Sequence, residues 1–214
     1  MRIGITGAHG VGKTALAEAL ALRFGLPLIT ERARVVADKL KIKNSQELLK
    51  DKNLAREFQV AVLLAQIEAE DACTQGFVSD RTTLDCLAYW RLYTLCENDE
   101  VGRTYVNQCL TRAYDLLIYV PPEVQIEDDG FRLKSLQKEV DRLIRDIICN
   151  SRRYPSVVVS VSGTLEDRVA AVVAEIQKKR SDVKWTRELY CETYQCSKMT
   201  TFQSTRLELP YTPG

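Results

Sequence analysis

The chain has very little with which to hold a transition metal. Its 214 residues include a single histidine, His9, so neither a histidine-based metal site nor a Ser-His-Asp triad can be assembled. The seven cysteines form an odd, irregularly spaced set. Cys191 and Cys196 are the one close pair, and C-x4-C without a second pair is a weak zinc signal. The other cysteines fall in or near apolar helical patterns and are expected to be buried thiols. Surplus charge is missing as well. Thirty basic against twenty-nine acidic residues leave a formal charge of +1, which gives no overall field toward nucleic acid or anionic lipid. No apolar run approaches the roughly 18 residues of a membrane span. Met1-Arg2-Ile3 leads straight into a strand pattern with no signal-peptide h-region. The expectation is a cytoplasmic protein with no membrane partner; oligomeric state is left open.

Present instead is a regular alternation. With 45% apolar residues, a chain of this length can build one real core. Ile3 to Thr6 reads as a buried strand, and Thr14 to Phe24 as a helix with Leu16, Leu20 and Phe24 on one face, closed by Gly25. "LPLIT" (26–30), "GFVSD" (76–80), "DLLIYV" (115–120) and "SVVVSV" (156–161) read as further strands. Helical periodicity fills 31–41 and 53–73 and precedes the last two strands. Short strands separated by helices of about ten residues or more predict an α/β fold, because a parallel pair needs a long crossover. From about Lys179 the pattern breaks into a tail of mixed Thr, Tyr and charge.

Between the first strand and its helix lies Gly7-Ala8-His9-Gly10-Val11-Gly12-Lys13-Thr14, a complete G-x-x-x-x-G-K-[ST] loop in the strand-to-helix setting its mechanism requires. Glycines there let successive backbone N–H groups wrap phosphate oxygens, and the helix N-terminus adds its partial positive charge. Lys13 would reach the β- and γ-phosphates of ATP and the Thr14 hydroxyl would ligate Mg²⁺; His9 reads as filler. The loop alone does not name a reaction. N-K-x-D, the guanine-reading motif of GTPases, is absent, and "FVSD" runs directly into Arg81 instead of the Asp-Glu end of a motor ATPase strand.

"FVSDRTTLDCLAYW", with "ITERAR" before it and "DDGFR" after it, resembles the P-loop nucleoside and nucleotide kinases. The likeness is strongest to the ribosylnicotinamide-kinase-like branch, with D-R-[ST]-x-x-D-x-x-A-Y at this place, and it extends over roughly residues 1–178. It implies a three-layer sandwich whose five-stranded parallel sheet has the order 2-3-1-4-5, with helices on both faces. It also implies roles. Asp80 would order Mg²⁺ and Arg81 would stabilise charge on the transferred group, an Asp80–Arg81 ion pair being the structural alternative. Glu31 is the candidate general base ahead of Asp80, a helix-start carboxylate being the plainer reading. Arg34 would orient Glu31 or bind substrate, or simply pair with it at i, i+3 spacing. Gln59 resembles the base-reading glutamine of deoxyribonucleoside kinases. Gly163 and Thr164 would lie at the adenine edge, with Thr164 also suited to cap a helix. Phe58, Tyr89 and Trp90 read as packing residues. Residues 121–153 suit a lid, with Arg132 in its polar loop closing on the triphosphate.

Three functions stand open on these residues. The first is an ATP-dependent kinase acting on a nucleoside or nucleotide-like hydroxyl. The second places that hydroxyl on DNA, such as a 5-hydroxymethyluracil of phage-type DNA, with Lys184, Trp185, Arg187, Tyr190 and Tyr194 of the tail interleaving charge and rings. The third is a regulatory ATPase with no acceptor.

Overall fold

A computed structural model of the chain describes residues 1–94, 99–123, 134–150 and 157–181. Five strands, β1 (Arg2–Thr6), β2 (Leu28–Ile29), β3 (Phe77–Asp80), β4 (Leu116–Tyr119) and β5 (Val157–Ser160), pair in parallel in the order β2-β3-β1-β4-β5. This is the doubly wound sheet and strand order expected. Ile3, Ile5, Val78 and Ile118 are fully buried, so the central strands appear in the sequence as continuous apolar runs instead of alternating ones.

Eight helices among the described residues cover the sheet. They are α1 (Lys13–Phe24), α2 (Arg32–Leu40), α3 (Ser45–Lys50), α4 (Lys52–Ala72), α5 (Thr83–Thr94), α6 (Glu100–Thr111), α7 (Lys134–Asn150) and α8 (Leu165–Ser181). α1 packs with α8, whereas α4, α5 and α7 pack in succession and α2 lies against α4. Their limits are written locally. Gly25 adopts the left-handed conformation and its N–H closes α1 on the Ala21 carbonyl. The carboxylate of Asp51 accepts from the amides of Asn53 and Leu54 to start α4. Among the described residues no helix is long and apolar enough to cross a membrane.

Strand ends position the site. The Val120 amide donates to the Thr6 carbonyl at 2.9 Å and the Arg81 amide to the Ile5 carbonyl at 3.1 Å, which carries the ladder up to the carboxyl ends of β1, β3 and β4. Ligands bind in the crevice beyond such ends in open parallel sheets. Cys86 and Cys109 are buried thiols outside any disulfide, as expected, Cys73 is a half-buried one, and Cys149 is disulfide-bonded and departs from that expectation. Lid residues 124–133, Arg132 among them, and tail residues 182–214 lie outside the described residues.

Candidate active site

Gly7, Gly10 and Gly12 hold φ of 147°, 77° and 84°, a region that residues with a Cβ rarely adopt. A Cβ at Gly7 would also run into the Val120 carbonyl. The loop therefore curls tightly over the end of β1 and feeds α1. Lys13 is buried, and its Nζ donates to the Ala8 carbonyl at 2.6 Å across the loop. Burial, with repulsion from Arg81 second, lowers its pKa from 10.5 to about 7.

One helical step on, Thr14 Oγ1 donates to Asp80 Oδ2 at 2.6 Å. The loop residue and the β3 residue assigned to Mg²⁺ thus meet, although 66 positions separate them. Among the described residues no cluster of three His, Cys, Asp or Glu could hold a metal alone. A hydroxyl and one carboxylate beside a phosphate cradle is the kind of partial, hard-oxygen donor set Mg²⁺ takes, since it keeps waters and shares substrate phosphates.

Arg81 turns away from Asp80. Its Nε donates to Glu31 Oε1 at 2.5 Å, its Nη1 lies 3.5 Å from Asp85 Oδ1, and its guanidinium sits 5.3 Å from the Tyr89 ring centroid. The Asp80–Arg81 ion pair allowed by the sequence is therefore replaced by one to Glu31. Arg81 has φ of 91°, an uncommon backbone for a residue with a Cβ, of the kind that clusters at functional sites. Asp85 accepts from the Thr82 amide at 2.9 Å and the Thr82 hydroxyl at 2.7 Å. It closes a capping box on α5 and fixes the arginine at the same time. Glu31 also accepts from Arg34 Nε at 3.1 Å. The Arg81 charge beside Glu31 outweighs burial and lowers its pKa to about 2.

Glu31 and Arg81 border a cavity of about 450 Å³ between α2, α4 and α5, within the usual size of small-molecule sites. Phe58, Gln59, Gln66 and Tyr89 line it, and so does His9 of the glycine loop. His9 is thus more than filler: its Nδ1 lies 3.2 Å from Tyr89 Oη and its carbonyl accepts from Gln137 Nε2 at 3.0 Å. Tyr89 corrects the packing reading, since it faces the cavity and stacks on Tyr93 with ring centroids 6.2 Å apart. Trp90 keeps it, stacked on Tyr105 in the core at 4.1 Å. Gln59 is 3% exposed and its amide makes no hydrogen bond among the described residues.

On the far side of the loop, Arg168 Nη1 donates to the Val11 carbonyl at 2.7 Å and Nε to the Gly163 carbonyl at 3.0 Å. The two amides assigned to base reading already donate within the chain, Gly163 to Glu123 Oε1 and Thr164 to Asp167 Oδ2. Thr164 does cap α8, accepting from the Asp167 amide at 3.2 Å. Sequence reasoning missed Asp85, Gln66 and Arg168. Two of them carried a signal, Asp85 in the T-x-x-D spacing after Arg81 and Gln66 in lying seven residues, two helical turns, beyond Gln59.

Solved structures share this architecture. Deoxyadenosine kinase from M. mycoides with bound dATP aligns with a TM-score of 0.58 at 17% identity, covering 83% of this chain and 99% of that one. YorR protein from Bacillus subtilis, in complex with phosphorylated GDP, aligns at 0.53 and 12%, covering 85% and 99%. NadR protein in complex with NR aligns at 0.62 and 15%, covering 94% of this chain and 52% of that one. At these identities the likeness is one of fold. No curated protein matches the sequence. A family model described as an AAA domain matches residues 2–168, and with its P-loop on a nucleoside-kinase-like sheet the chain belongs to that family.

Proposed function

We propose that the chain is an ATP-dependent kinase that transfers the γ-phosphate to a hydroxyl of a nucleoside or nucleotide-like acceptor. The observation that carries this reading is the meeting of two half-sites, a P-loop with Thr14 and Asp80 in contact and a 450 Å³ cavity bordered by Glu31, with His9 common to both. Backbone amides from Gly10 to Thr14 hold the donor phosphates, and Lys13 adds charge where the γ-phosphate sits. Thr14 and Asp80 would hold Mg²⁺, which when bound neutralises phosphate charge.

The acceptor enters the cavity. Glu31, held by Arg81 and Arg34, accepts a hydrogen bond from the reacting hydroxyl and points its oxygen at the phosphorus. Its pKa near 2 makes it a weak base, so it orients the hydroxyl early and takes the proton late, as a loose phosphoryl transition state allows. Gln59 presents a donor and an acceptor to the base edge, Arg132 supplies a closing charge, and the Gly163-Thr164 turn abuts the base of ATP. A cavity of about 450 Å³ is of the size that takes a free small molecule, which supports a nucleoside-like acceptor.

Labelled ATP with Mg²⁺ and a panel of free nucleosides tests this. Label in nucleoside monophosphate is the expected result. Label confined to hydroxymethylated oligonucleotide, or released only as inorganic phosphate, would overturn it.

A further inference from the structure

The buried face of α4 carries three polar residues, Gln59, Gln66 and Glu70, and the function proposed above uses only the first. Gln66 is 2% exposed yet lines the cavity. Its amide orientation follows from its neighbours. A backbone amide can only donate, and that of Thr83 donates to Tyr114 Oη at 3.0 Å. The phenol proton is then directed to Glu70 Oε1, 2.6 Å away, which makes that oxygen an acceptor. Gln66 must therefore turn its NH₂ toward it, and Nε2 lies 2.9 Å from Glu70 Oε1 and 2.9 Å from Ser79 Oγ. Reversing the amide would set two oxygens against each other. Among the described residues every hydrogen bond of Gln66 runs through Nε2, which leaves Oε1 an unused acceptor on a residue that lines the cavity.

We propose that Gln66 is a specificity residue of this cavity, whose fixed carbonyl oxygen selects acceptors presenting an NH₂ group there over counterparts carrying an oxo group. The proposal rests on the cavity being the acceptor pocket. Gln59 cannot make this choice alone, because nothing among the described residues locks its amide and either end can face the ligand. An exocyclic amine or a carboxamide donates to Gln66 Oε1. An oxo group opposes one lone pair to another and leaves both buried acceptors unsatisfied, a mismatch that sites built for hydrogen bonding reject strongly.

The test compares matched pairs, adenosine with inosine and cytidine with uridine, in labelled-ATP transfer and in calorimetric binding to the full chain. The amino member of each pair should be favoured by roughly tenfold or more in kcat/KM. Gln66→Met should abolish the preference through KM with kcat retained. A folded Gln66→Met variant that keeps the preference, or a wild type that has none, overturns the proposal. Should Gln66→Met not fold, the paired comparison on wild type decides alone, and equal kcat/KM for the two members of each pair overturns the proposal. Binding preference without transfer to any nucleoside counts against the kinase alone, whereas neither binding nor transfer overturns both.

Discussion

Glu31 accepts from two guanidinium groups, at 2.5 Å from Arg81 and 3.1 Å from Arg34. With its pKa lowered to about 2 by the Arg81 charge, it stays ionised throughout the neutral range. The pair's contribution to stability is fully present above the ordinary carboxylate value of 4.5 and is lost as pH falls through about 2. The neutral amide of Glu31→Gln keeps the shape but neither attracts Arg81 nor takes a proton. Transfer in that variant should fall by on the order of 10² or more, while ATP affinity measured by calorimetry stays near wild type. An unaltered turnover number would remove Glu31 from the acceptor hydroxyl. At this scale the sequence was most informative where a motif fixes geometry by itself, as in the glycine loop. It was least informative about partners distant along the chain, so it offered Asp80 to Arg81 where folding supplies Glu31, fifty positions away.

α5 begins with a device that serves both fold and site. Asp85 satisfies the Thr82 amide and hydroxyl and also faces Arg81, so the helix start and the guanidinium share one carboxylate. Asp85→Ala should cost about 1–3 kcal/mol through the lost cap and the buried donors left behind, read as a lower denaturant midpoint at unchanged m-value. It should also raise KM for the acceptor, because Arg81 would hold Glu31 less firmly. Stability equal to wild type would deny the cap its role. Most elements were visible beforehand, since strands buried on both faces give bounded apolar runs and α4 repeats its apolar positions over 21 residues. α3 was not, because six residues are too few for periodicity; its start is set by Asn44 accepting from the Glu47 amide. β2 proved shorter than its apolar run. Among the described residues it lies at the sheet edge with β3 as its single partner strand, and the ladder ends where that pairing ends.

For the whole molecule, folding forces a lysine into a place where it gives up its proton easily. Because the Lys13 pKa falls from 10.5 to about 7, the unfolded chain holds a proton across that window that the folded chain has released. Stability attributable to Lys13 therefore rises with pH between those values and is level below about 7. The unfolding free energy of wild type minus that of Lys13→Met should climb with pH in this window by up to roughly 1.4 kcal/mol per unit. A level difference would return the amine to the ordinary range. The overall architecture could be read from strand and helix spacing together with one loop, whereas the cavity could not, because its wall draws on residues from the loop, α2, α4 and α5.

The Arg168 guanidinium spans the Val11 carbonyl and the Gly163 carbonyl, and so ties the glycine loop to the turn before the last helix. One side chain acts as a ruler between these corners. Under the function proposed above, a donor nucleotide lying between them would meet a spacing that the fold has already set.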